Sequence, residues 1–255
     1  MDTLLPPAPA DEDHEQLDCP DIESSSPWYA RRFAGKIGEL FLEVQQGIAL
    51  ELLPPPESSP ELLDVGGGHA QLAPALAESG YRVDVLGSTP ACGELLAPYL
   101  HAERLRFTVG KLHDLPYEDR TFDAAISFRI LAHIADPERF IAELCRVASK
   151  TVIVDCPSSC SVNAVANRLF SLKLRVEGDT RPFRIFSPAG IRQTFAKNGF
   201  RVSAVRAQYF FPMAIHRLLG SAPLTRVLEA PPRGIGLTRV FGSPLIVRAE
   251  RVSAA

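Results

Sequence analysis

What this chain of 255 residues lacks narrows its class before any motif is read. No apolar run approaches the ~20 residues that a membrane-spanning helix requires. The opening stretch, MDTLLPPAPADEDHEQLD, has neither the basic region nor the apolar core of a secretory signal, so a cytoplasmic protein is expected. Cysteine is scarce and unpatterned. Cys19, Cys92, Cys145, Cys156 and Cys160 form no CxxC pair, so no metal site is expected and the thiols read as buried or incidental. There is no Lys/Arg block, which argues against a nucleic-acid partner. There is no internal repeat. What remains is 27.8 kDa with 46% hydrophobic and 22% charged residues, the balance of one globular domain with an appendage.

The net charge of −3 conceals an asymmetry. Residues 1–27 hold eight acids, five prolines and no Lys or Arg, which leaves 27 bases against 22 acids in the rest. That composition cannot bury enough apolar surface to offset ordering, so 1–27 is expected to be a disordered tail outside the packed body. One domain is expected over 28–255. It divides into an N-terminal helix at 28–56, a core at 60–156 and a C-terminal part at 157–255 with a lid insertion at about 210–237.

Ser26 suits an N-cap and Pro27 a first helical position. Phe33, Ile37, Leu40, Phe41, Val44 and Ile48 follow at helical spacing, and one helix from Trp28 to Leu53 is expected, ended by Pro54-Pro55-Pro56. Strands are then expected at Glu61–Val65, Tyr81–Leu86, Leu105–Val109, Phe122–Ser127 and Thr151–Asp155. Helices are expected between them at His69–Ser79, Thr89–Leu100 and Asp136–Val147. This alternation predicts an α/β fold with a parallel sheet and helices on both faces. Further on, helices are expected at Val162–Leu174, Ser187–Asn198 and Pro212–Ala230, and strands at Arg201–Tyr209 and Pro244–Arg251.

The strongest local signal is Asp64-Val65-Gly66-Gly67-Gly68-His69-Ala70. An apolar strand runs into three glycines and then a helical pattern. Glycines permit a tight turn and close approach of a ligand to the backbone. With Gly110-Lys111-Leu112, Leu115-Pro116-Tyr117, Phe122-Asp123, Leu131-Ala132-His133-Ile134-Ala135-Asp136, Glu143-Leu144-Cys145-Arg146-Val147, Phe186-Ser187 and Gly199-Phe200-Arg201-Val202, the chain from about 60 to 205 resembles the class I S-adenosylmethionine-dependent methyltransferases. The group containing the ubiquinone and menaquinone biosynthesis enzymes is the nearest likeness.

The resemblance implies a Rossmann-like class I methyltransferase fold with a mostly parallel seven-stranded sheet and an antiparallel last strand. It implies S-adenosylmethionine as cofactor. Asp64, Gly66, Gly67, Gly68, His69, Gly87, Ser88, Lys111, Leu112 and Phe128 would border it. Tyr29, Tyr117 and Arg129 would line the acceptor pocket, and His133 would be the candidate base. Two positions depart from the family pattern. The acid that ends the second strand is Gly87 here, with Ser88 beside it, and a carboxylate restored at 87 is expected to meet the ribose hydroxyls. Asp84 points to the opposite face and cannot substitute. The adenine-side acid is Lys111.

The acceptor implied is a small molecule, hydrophobic or acidic, such as a quinone precursor, polyketide or lipid. The apolar insertion suggests this, together with the eight Arg, no Lys and two acids of residues 201–255. Peripheral membrane contact stays open, as does a catalytically silent, methyltransferase-like binding or scaffold protein. A nicotinamide dehydrogenase would need an acid near residue 87 and a Tyr-x-x-x-Lys, and neither is present.

Overall fold

The computed structural model describes residues 19–101, 103–162, 164 and 184–252. Seven strands form one sheet in the order β3-β2-β1-β4-β5-β7-β6. They are β1 (Glu61–Val65), β2 (Arg82–Gly87), β3 (Leu105–Val109), β4 (Phe122–Ser127), β5 (Ala148–Cys156), β6 (Phe200–Tyr209) and β7 (Ser243–Arg251). β1 to β5 pair in parallel, and β7 runs antiparallel between β5 and β6. The expected fold class and antiparallel last strand are therefore present.

The central strands read Leu-Leu-Asp-Val and Thr-Val-Ile-Val because both faces are covered. On one face, Leu63, Ala125 and Val152 pack with Phe140, Leu144 and Phe195 from α5 (Pro137–Val147) and α6 (Pro188–Lys197). On the other, Leu62, Val85 and Ile126 pack with Ala49, Leu52 and Leu76 from α3 (Gly35–Leu52) and α4 (Ala73–Glu78). After β3 the chain crosses back over β1 to lay down β4. The carboxyl ends of β1 and β4 thus flank the point where strand order reverses, the usual ligand crevice of open α/β sheets.

Several expected elements are corrected. Order begins well before residue 27. A short helix α1 (Asp21–Ser24) precedes α2 (Pro27–Ala30), whose N-cap Ser26 accepts the Tyr29 N–H at 3.1 Å. The rest of the expected tail lies outside the described residues. The single helix from Trp28 is broken. A 3₁₀ turn (Arg31–Phe33) ends in extended Ala34, and Gly35 at φ 76° starts α3. The break brings the Phe33 backbone so close to Gly38 that any Cβ there would collide with it. The helix expected from His69 starts at Ala73, because Gly66 (φ 80°) and Ala70 (φ 54°) keep the chain turning. Residues Pro90–Tyr99 form a 3₁₀ stretch with Pro98 inside it, where an α-helix was expected. Most of the helix expected at 162–174 lies outside the described residues. The insertion is three helices: α7 (Met213–Leu219), α8 (Ala222–Gly234) and α9 (Leu237–Phe241). None of the described helices is long and apolar enough to cross a membrane.

Candidate cofactor crevice and acceptor cavity

Asp64, next to last in β1, has only 1% of its surface exposed, and among the described residues neither carboxylate oxygen has a hydrogen-bond partner. Burial pushes its pKa up to about 7, with the charge of Arg129 opposing. Residues 66–68 can only be glycine as the turn is built. Gly66 needs a positive φ, a Cβ on Gly67 would collide with the Asp64 carboxylate, and one on Gly68 with the Cys92 carbonyl. His69 follows, buried, its Nδ1 accepting the Gln71 N–H at 3.2 Å. Burial and then the Arg129 charge hold it well below the usual imidazole pKa, so it is neutral.

At the end of β2 the side-chain space of Gly87 is already filled. A Cβ there would lie 2.7 Å from Cys92 Cβ and 2.9 Å from Phe107 Cζ. The expectation that a carboxylate fits at 87 is therefore corrected. An acid does reach this edge, from a segment that sequence reasoning had set aside. Asp21 of α1 accepts the Ser88 N–H at 2.6 Å and the Ser88 hydroxyl at 2.7 Å.

At the end of β4, Phe128 is buried in the core while Arg129 turns outward at φ 66°. The Arg129 N–H donates to Asp155 Oδ1 at 2.6 Å. Its guanidinium donates to the Gln71 side-chain oxygen and, at 3.0 Å, to Gln45 Oε1, and lies 4.0 Å from the Phe33 ring centroid. Burial raises Asp155 to about 6, opposed by that N–H and the Arg129 charge. These groups open into a cavity of about 350 Å³. Tyr29, Phe33, Phe41, His133 and Met213 complete much of its wall. A larger depression, about 470 Å³ between Pro74, Tyr99 and Arg104, lies at the opposite, amino-terminal edge of β3.

The structure therefore brings Tyr29, Arg129 and His133 together. Tyr117 stands elsewhere. It packs edge-on against Phe122 at 4.9 Å and lies beside Asp84 and Thr108, which corrects its expected place in the pocket. Leu112 is a core residue and Lys111 is exposed in a small bridge to Asp114. Sequence reasoning missed Asp21, Gln45, Gln71 and Asp155. Gln45 had a legible signal, since it stands on the buried stripe of α3 four residues after Phe41 and four before Ala49. Asp155 had one too, at the end of the apolar run Thr151–Val154. Asp21, one acid among eight, had none.

Residues 63–154 match the methyltransferase domain family. The segment from β1 to β5 is thus similar to methyltransferase domains. An uncharacterized methyltransferase of Mycobacterium avium (strain 104) is 36% identical over 88 residues, 34% of each chain. Norajmaline N-methyltransferase of Rauvolfia serpentina is 43% identical over 47 residues, 18% of this chain and 16% of that enzyme. The matched segments thus span about a third or less of these curated relatives. The fold extends much further. Magnesium protoporphyrin IX methyltransferase from Synechocystis PCC 6803, solved with bound SAH, superposes over 94% of this chain and 98% of its own at TM-score 0.61 and 15% identity. The family match covers the end of β1, the glycine turn, β2 to β4 and most of β5, the stretch that carries Asp64, Ser88 and Arg129.

Proposed function

We infer that the protein transfers a methyl group from S-adenosylmethionine to a small, mainly apolar acceptor. The observation that carries this reading is the buried, partnerless Asp64 carboxylate beside a turn that tolerates only glycine. A carboxylate withheld from water and from every neighbouring donor is matched to a cationic ligand, and the cofactor brings an ammonium and a sulfonium. Asp64 and the Gly66–Gly68 turn are the residues proposed to hold it, with Ser88 offering an N–H and a hydroxyl at the edge of β2. When bound, the cofactor supplies an electrophilic methyl group.

The chain supplies alignment and the exclusion of water. The cavity suits an acceptor with an apolar body, which Phe33, Phe41 and Met213 contact, and a polar or acidic head toward the Arg129 guanidinium. Asp155, ionised above about pH 6, is the carboxylate in this cavity able to take a proton from the acceptor, with His133 as the second candidate base. The cytoplasm is the proposed setting, in keeping with Cys92, Cys145, Cys156 and Cys160, which form no disulfide.

The test is calorimetric titration with S-adenosylmethionine and S-adenosylhomocysteine, followed by mass spectrometry of hydrophobic phenols, acids and amines incubated with cofactor. Binding of both ligands and a one-methyl mass gain in an acceptor are expected. A folded protein that binds neither ligand would leave the silent, scaffold reading in its place.

A further inference from the structure

We propose that residues 19–26 are a plug built into the cofactor crevice, with the Asp21 carboxylate seated on the Ser88 donors and displaced when the cofactor enters. The inference rests on the reading of the crevice given above.

Three observations converge on it. The first is position. The Asp21 Cβ stands 3.5 Å from where a Cβ on Gly66 would be, and Ser25 Oγ stands 2.7 Å from one on Gly68. The segment therefore spans the glycine turn and the end of β2, the space between the two sets of groups proposed to hold the cofactor. The second is occupancy. Asp21 has no exposed surface, and its two oxygens take both the backbone and the hydroxyl donor of Ser88, at 2.6 and 2.7 Å. A ligand hydroxyl or ring nitrogen cannot use Ser88 while Asp21 is there.

The third is the way the segment is held. α1 has only four residues, and the residues buried across 19–26 are Pro20, Asp21, Ser24 and Ser25, three of them polar, while Ile22 is 46% exposed. A core element would be held by apolar burial, which is lost only on unfolding. This one is held by charge-assisted hydrogen bonds, which a polar ligand can replace one for one. Such a plug scales apparent affinity by the fraction of molecules in which it is unseated, so weakening its contact tightens binding without any new contact to the ligand.

The experiment compares the full chain with Asp21→Ala and Asp21→Asn, using S-adenosylhomocysteine as the probe. Affinity is read by calorimetry and the mobility of residues 19–26 by hydrogen exchange. Binding is expected to tighten about tenfold in Asp21→Ala and less in Asp21→Asn, which keeps one acceptor oxygen. In the wild-type chain the ligand is expected to accelerate exchange across residues 21–26. Unchanged or weaker binding in both folded variants would overturn the plug, as would slower exchange on ligand addition, because Asp21 would then be a ligand group or a structural one. If the wild type binds and the variants gain nothing, only the plug fails. If neither wild type nor folded variants bind, the cofactor assignment fails and the plug with it.

Discussion

The backbone of Arg129 sits at φ 66° in the left-handed region, a conformation that costs a residue with a Cβ roughly 1–2 kcal/mol. It is held there by the N–H bond to Asp155 and by Gln45, Gln71 and Phe33 around the guanidinium. Arg129→Gly and Arg129→Ala lose the same side-chain contacts, but only glycine relieves the backbone. The glycine variant is expected to be more stable by about 1 kcal/mol in urea denaturation. Asp64 carries a second residue-scale prediction. Its pKa is near 7 in the folded chain against an ordinary 3.8, and that of Asp155 is near 6. Raised carboxylate pKa values mean that the stability tied to these groups is full below about pH 4 and is lost as pH rises toward 7. The ligand-free protein is therefore expected to melt at lower temperature at about pH 8 than at about pH 5, and Asp64→Asn should flatten the slope. Asp64→Ala is expected to abolish S-adenosylmethionine binding with the fold retained; calorimetry and circular dichroism check the two halves.

Among the elements, Glu229 is one of the groups that tie the insertion to the end of β6. Glu229 of α8, buried, accepts the N–H groups of Phe210 and Phe211 at 2.8 and 3.0 Å and faces His216 Nε2 of α7 at 3.0 Å. Glu229→Ala leaves the part-buried Phe210 and Phe211 N–H groups and the buried His216 without this acceptor. A loss of about 2–4 kcal/mol is expected, with faster proteolysis across 210–242 than across β1 to β5. Glu229→Gln, which retains an acceptor, should lose less. The strand pattern and the cap Ser26 were legible because each depends on neighbours in sequence. The break at Gly35 was not. Hydrophobic spacing runs straight through it, and the turn is fixed by the docking of Phe33 on Gly38. The 3₁₀ stretch Pro90–Tyr99 was read as an α-helix because its apolar residues fit either winding, and only Pro98 argued against one.

For the whole molecule, the acidic segment proves to have two parts. A truncation ending at residue 18 and one ending at residue 26 are expected to differ. Only the second removes Asp21, Ser24 and Ser25 from the glycine turn, and it should shift the melting temperature by several degrees relative to the first. The sequence by itself determined the parallel α/β order, the antiparallel last strand and the glycine turn after β1. The first and third follow from periodicity and turn chemistry, both local, and the antiparallel last strand from the resemblance carried by the motif order. It also put Arg129 and His133 beside one site. The tertiary structure alone decided that Gly87 has no room for a side chain, that Tyr117 belongs to the Phe122 contact, and that Gln45, Asp155 and Asp21 join the crevice. The last of these depends on residues tens of positions apart meeting across the sheet, such as Asp21 with Ser88 or Gln45 with Arg129. The free energy of such contacts comes from burial and pairing, and neither is encoded in the neighbours of the residue itself.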